Sequence, residues 1–192
     1  MTRTGDGLPG DARFFARTGP HSLDTVAAVA GGEASGDRGR MLSGVAPLAV
    51  AGPEHVSYLD NPRYADALAA TRAGAVLVPG DVSARVPPGS DAILCAEPGL
   101  AWIKVAALFH PAPPLRPGAH PSAVVDPTAC VDPTAEIGPL AVVGARAEIG
   151  ARCRIGPGAV IGDGVVIGAD SRIAASASVS HTLLGARVVV HP

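Results

Sequence analysis

The chain has 192 residues and is 47% hydrophobic but only 3% aromatic, with 24 Gly and 19 Pro. That length suits one or two small domains, and their core must be aliphatic and built from small side chains. A net charge of -2, with no basic patch interleaved with aromatics, excludes a nucleic-acid-binding surface.

Residues 1–20 are polar and charged and hold no apolar stretch of the signal-peptide kind. The three cysteines, Cys95, Cys130 and Cys153, fit neither a zinc site nor a disulfide framework. Reduced thiols and a cytoplasmic location are expected. In "GPHSLDTVAAVAGG" Ser22 is placed to cap a helix. Leu23, Val26, Ala27 and Ala30 then recur at helical spacing, and Gly31 or Gly32 stops it. "LSGVAPLAVAG" and "EHVSYLD" are short strand candidates around a turn. "NPRYADALAATRAG" reads as a second helix, capped by Asn61, with Pro62 in its first turn and Gly74 at its end. "AVLV" (75–78) and "AILCAE" (92–97) look like buried strands. A third helix covers 98–109. Its run "LAWIKVAALF" is too short to span a bilayer and carries Lys104, so no transmembrane segment is expected. The proline-rich "HPAPPLRPG" (110–118) is a stiff linker. The expected organisation is therefore a mixed α/β domain over 1–109, a linker over 110–118 and a second domain over 119–192.

From residue 119 the chain divides into sixes: AHPSAV, VDPTAC, VDPTAE, IGPLAV, VGARAE, IGARCR, IGPGAV, IGDGVV, IGADSR and IAASAS. The first position is Ala, Val or Ile each time, and the fifth is small in nearly all. An internal repeat of this length outweighs local propensity. If each hexad is a short strand plus a corner, three hexads close one triangular coil of 18 residues. First- and fifth-position side chains would fill the prism, the fifth where only a small group fits. Nine of the ten first positions are Val or Ile, each worth about 1.5–3 kcal/mol on burial. The glycine or Asp in second position is expected to serve a backbone conformation that other residues avoid. "VSHTL" (179–183) has five residues before "LGARVV" resumes, which should shift that corner and re-aim nearby side chains. The sequence stops inside a hexad without a cap, so it reads as the N-terminal piece of a longer protein.

The hexads resemble those of the hexapeptide acyltransferases, whose left-handed parallel β-helix the resemblance implies; periodicity alone does not set the hand. "RFFARTGPHSLDTVAAVAG", "LSGVAPLAVAGPEHVSYLDNPRYADALAATRAGAVLV" and "HPSAVVDPTACVD" are similar to the UDP-3-O-acylglucosamine N-acyltransferase family of lipid A biosynthesis, from about residue 12 onward. The resemblance implies transfer of a 3-hydroxyacyl group from acyl carrier protein to the 2-amino group of UDP-3-O-acyl-glucosamine, by a homotrimer and without a cofactor. It also implies that Tyr58, Asn61 and Tyr64 in "SYLDNPRY" hold the uridine end of the substrate. The family often has Phe where this chain has Tyr58. Uracil offers a flat face for stacking and an amide-like edge that asparagine can read. The plainer reading is that Tyr58 ends a core strand, Asn61 caps a helix and Tyr64 packs on that helix.

The attacking amine must be neutral, and a histidine base suits that task. The family's histidine follows a "DGFG"-type segment that is absent here, so no catalytic residue is assigned and the base is expected beyond residue 192. His181 matches an upstream histidine at the register break and reads as a loop residue. His120 and His191 have less claim, and His21, His55 and His110 are isolated. Scattered histidines speak against a metal site, Cys153 reads as a core filler, and Cys130 sits at an outward position with no base partner. Two rivals remain: a non-catalytic binding or assembly module, and a different nucleotide-sugar acyltransferase on the same helix.

Overall fold

The computed structural model describes residues 13–192; the polar stretch read at 1–12 lies outside them. The described residues form two compact units, the first ending at Pro113 and the second beginning at Pro114.

The first unit opens with β1 (His21–Ser22) and α1 (Leu23–Ala30). Ser22 caps α1 by accepting the Thr25 N–H at 3.2 Å, and Gly31 ends it in the left-handed conformation at φ 69°. Next come β2 (Glu33–Ala34), β3 (Met41–Leu42), which pairs antiparallel with β1, and β4 (Gly44–Val45). β5 (His55–Tyr58), a 3-10 turn (Pro62–Tyr64) and α2 (Ala65–Ala69) follow. β6 (Ala75–Val78), a second 3-10 turn (Gly80–Arg85), β7 (Asp91–Leu94) and α3 (Pro98–Phe109) complete the unit. The main sheet has the order β2-β7-β6-β5-β4. β4 to β7 are parallel and β2 is antiparallel to β7. One face packs on Leu23 and Val26 of α1 and on Ala101, Val105 and Phe109 of α3. Leu48, Leu59 and Leu68 cover the other face. Cover on both faces explains why "AVLV" is apolar without alternation.

The two strand candidates on either side of residues 46–54 pair parallel, Gly44 with His55 and Val45 with Val56. Two expectations are corrected. The second helix is only five residues long. Buried Thr71 diverts the chain by donating its hydroxyl to Leu48 O at 2.9 Å and accepting the Ala73 N–H at 3.2 Å. Gly74 does not end the helix. A Cβ there would lie 1.9 Å from Pro53 O, so glycine is required by close approach.

The second unit is a left-handed parallel β-helix. Its strands are two residues each, paired parallel at an offset of 18, as in Cys130↔Glu148 and Val131↔Ile149. Three stacked sheets form the walls, and one wall runs through residues 118, 136, 154, 172 and 189. The first-position residues Ile137, Val143, Ile149, Ile155, Ile161, Ile167 and Ile173 fill the prism together with the small fifth-position residues from Ala135 to Ala177.

The corners differ from expectation in one respect. The second-position glycines do not adopt positive φ. That conformation falls on the fourth position, at Leu140, Arg146, Arg152, Asp170 and Ser176 (φ 54–62°) and at Gly158 and Gly164 (φ 66°). The second position needs glycine because the next coil lies directly against it. A Cβ on Gly156 would stand 2.6 Å from Ala175 N, and one on Gly150 2.8 Å from Ala169 N. The five-residue hexad is absorbed inside its corner. His181 takes the left-handed post at φ 51°, and pairing resumes at Val166↔Leu183 and Ile167↔Leu184.

The first coil is built differently. Asp126 Oδ1 accepts the Thr128 N–H and hydroxyl at 2.8 and 2.6 Å, and Thr128 Oγ1 accepts the Arg146 N–H of the next coil at 3.0 Å. Asp132, Thr134 and Arg152 repeat the relay. The hydroxyls thus serve the next coil's left-handed amides. Later coils do this with backbone, as in Gly158 N–H to Pro139 O at 2.9 Å.

Two outcomes follow. Gly156→Ala is expected to cost about 1–3 kcal/mol in denaturant unfolding. Gly162→Ala should stay within about 1 kcal/mol of the parent, because the nearest atom across its shortened corner is 3.3 Å away. The Thr128 and Thr134 hydroxyls, then their amides, hold the Asp126 and Asp132 carboxyls below the ordinary value of 3.8. A carboxyl depressed in the folded state contributes stability that is complete above the ordinary value of 3.8 and is lost as pH falls below it and through the lower folded value. An Asp126→Asn, Asp132→Asn variant keeps the acceptor oxygens without the titration. Its melting temperature should fall less steeply than the parent's below about pH 4; parallel curves would contradict this.

Candidate functional site

Ligands of open parallel sheets gather outside the carboxyl ends of the strands, and β5 ends on Tyr58. The Tyr58 ring is half-buried and stacks on Trp102 of α3, with centroids 4.7 Å apart and planes 25° from parallel. Leu59 is buried and donates its N–H to Leu77 O at 2.9 Å, which closes the strand end against β6. Asp60 comes next, its carboxylate against the first turn of α3: a Cβ on Gly99 would lie 3.1 Å from Oδ2. Asn61 is exposed. Its Oδ1 accepts the Arg63 N–H and its carbonyl accepts the Tyr64 N–H, both at 3.0 Å. Asparagine therefore heads the turn as an Asx cap, as the plainer sequence reading held, but the cap is on a 3-10 turn rather than on the helix. Tyr64 is 60% exposed and makes no contact with another aromatic ring among the described residues.

Chemically this stretch offers one fixed ring, one exposed ring and a side-chain amide whose NH2 has no partner among the described residues. Such a set can stack a planar base and read its edge. Trp102 was not singled out in the sequence beyond its place in a core helix. The available signal was that it is the single Trp of the chain and stands next to the apolar stripe of α3 rather than in it.

The histidines are engaged elsewhere. His21 Nε2 pairs with Thr18 Oγ1 at 3.2 Å and its ring packs edge-on against Phe109. His55 Nδ1 accepts the Gly52 N–H at 2.9 Å, and His110 Nδ1 lies 3.3 Å from Ala16 O. His120 pairs with Ser122 at 2.9 Å, copying the Asp–Thr corners of the same coil. His181 and His191 are exposed. Among the described residues no histidine is held by a carboxylate, and no three His, Cys, Asp or Glu side chains stand close enough to hold a metal ion. Burial pushes the Cys95 and Cys153 thiols up, while Cys130 is exposed on the outer wall of the prism.

Residues 40–108 match the family model for UDP-3-O-(3-hydroxymyristoyl) glucosamine N-acyltransferase, and residues 131–163 and 146–181 match the bacterial transferase hexapeptide model. A UDP-3-O-acylglucosamine N-acyltransferase of Granulibacter bethesdensis is 57% identical over 117 residues, 61% of this chain and 34% of that protein. Proteins of the same name from a Methylobacterium species and from Parvibaculum lavamentivorans are 42% and 44% identical, over 57% and 53% of this chain and 31% and 29% of theirs. The matched segment thus spans about a third of each curated relative. Among solved structures, a GDP-perosamine N-acetyltransferase of Caulobacter crescentus is 19% identical, with a TM-score of 0.29 over 61% of this chain and 65% of that one, too distant a likeness to carry an argument. The domain at residues 40–108 and the hexapeptide repeats that follow it make the chain similar, over these segments, to the UDP-3-O-acylglucosamine N-acyltransferases.

Proposed function

We propose that this chain supplies nucleotide recognition and the first coils of an N-acyltransferase of lipid A biosynthesis. In that reaction the neutral 2-amino group of UDP-3-O-acyl-glucosamine attacks the thioester carbonyl of a 3-hydroxyacyl group on acyl carrier protein. A C–N bond forms, the C–S bond breaks, and the amine's proton leaves through a base. No cofactor is needed. A cytoplasmic setting belongs to this reading. One observation carries it: the family segment, residues 40–108, contains a ring–amide–ring run at the end of a parallel strand. Tyr58 and Tyr64 would flank the uracil, and Asn61 would read its edge. No described helix is long and apolar enough to cross a membrane.

A second reading, a binding module without catalysis, is favoured by the absence of a carboxylate-held histidine among the described residues. Both readings share the uridine site. Asn61→Asp keeps the oxygen that caps the turn and removes the amide donor. It should weaken UDP binding by calorimetry about tenfold with an unchanged melting temperature; unchanged affinity would remove the assignment.

On this reading a homotrimer would form through the prism wall of residues 124–125, 142–143, 160–161 and 178–179. Its outward positions Val124, Val142 and Val160 are 63%, 38% and 43% exposed, and Ser178 follows them; a second wall carries Glu136, Arg154 and Arg172, and on the third Glu148 interrupts Cys130, Val166 and Leu183. An outward valine ladder suits contact with further copies. Val142→Glu should shift the chain to monomer in sedimentation analysis, and a multimer that survives the substitution would contradict this contact.

A further inference from the structure

We infer that Trp102 is a positioning residue of the uridine site, holding the Tyr58 ring so that only its opposite face is presented to the base; this rests on the uridine reading of Tyr58, Asn61 and Tyr64. On α3 the buried stripe is Pro98, Ala101, Val105 and Phe109. Gly99 and Trp102 stand one helical turn apart in the adjoining row, and both meet the loop that carries the site. Gly99 lies under the Asp60 carboxylate, with a hypothetical Cβ 3.1 Å from Oδ2. A negative group there is favoured by the positive end of the helix. Trp102 lies against Tyr58, in the offset stacking that aromatic pairs prefer, at 4.7 Å and 25°. The two contacts fall on either side of Leu59, which is itself pinned to β6.

The consequence for binding is pre-organisation. A tyrosine at the end of a strand, next to a turn, would otherwise lose ring freedom on meeting the ligand, and that loss would weaken binding. With Trp102 behind it, the ring is oriented beforehand. Trp102 packs with Tyr58 against the edge of the core cluster and is itself only half-buried, so the pair stands where the core meets solvent. Trp102 also excludes water and ligand from one Tyr58 face, which leaves a single stacking direction for a pyrimidine.

The test uses UDP with the 192-residue chain. Calorimetry should give Trp102→Phe an affinity within about twofold of wild type. Trp102→Leu should weaken binding about three- to tenfold, in line with the usual worth of an aromatic pair. In a Tyr58→Leu background, Trp102→Leu should cost nothing further, because its effect runs through that ring. Trp102 is the sole Trp, so its emission should change on titration with UDP in unmodified protein. Wild-type affinity in Trp102→Leu beside lost affinity in Tyr58→Leu would overturn the inference and leave the uridine site standing. So would an emission that stays constant at UDP concentrations that calorimetry shows to be saturating. No binding of UDP by the wild-type chain, or full affinity in Tyr58→Leu, would remove the uridine reading and this inference with it.

Discussion

The spacing between adjacent strands, about 4.8 Å, governs the second unit. Each wall is a stack of two-residue strands whose backbone is satisfied by the coil on either side. A Cβ at most second positions from Gly138 to Gly168 would lie 2.4–2.9 Å from the next coil, the shortened corner over Gly162 excepted, and glycine stands at each of them. The same spacing forces the chain to turn within four residues, and the turn puts one residue in the left-handed region. Leu140, Arg146, Arg152 and Arg187 accept that conformation at a cost of about 1–2 kcal/mol each. Their amides are repaid with a hydrogen bond to the preceding coil. The first coil has the same obligation toward the second, and its Ser122, Thr128 and Thr134 hydroxyls meet it.

In the first unit the comparable constraint is a sheet buried on both faces. Such a sheet leaves only its strand ends open to ligand. β5 ends at Tyr58 and the chain turns outward at Asn61, so polar and aromatic groups collect where buried backbone meets solvent. α3 serves both purposes. One row of its residues closes the core, and the neighbouring row supports the loop that follows β5. On the uridine reading, stability and recognition share a helix, and changes on α3 will differ in effect according to the row they fall on.

Much of this could be read from the sequence, for physical reasons. Ser22 and Gly31 delimit α1 because capping is a local interaction. The hexads were legible because every coil imposes the same volume at its first and fifth positions. Long-range contacts were not legible. Gly74 looked like a helix stop, yet its role is set by Pro53, distant in sequence. The second-position glycines suggested unusual backbone angles, yet their reason is the coil stacked above, and the unusual angles belong to the fourth position, mostly on residues that carry side chains. The shortened hexad gave no sign that its corner would absorb the missing residue with His181. For the site, the run from Tyr58 to Tyr64 was visible as spacing. The stacking of Tyr58 on Trp102 joins residues 44 positions apart, and no local pattern announces it.

The central claim is that the loop after β5 meets a uridine nucleotide. Amide chemical-shift mapping of the labelled chain during titration with UDP addresses it directly. The account predicts shifts concentrated at residues 58–64, with smaller ones along the facing row of α3, and prism amides that stay in place. Shifts confined to the prism walls, or spread evenly over both units without a cluster at 58–64, would contradict it.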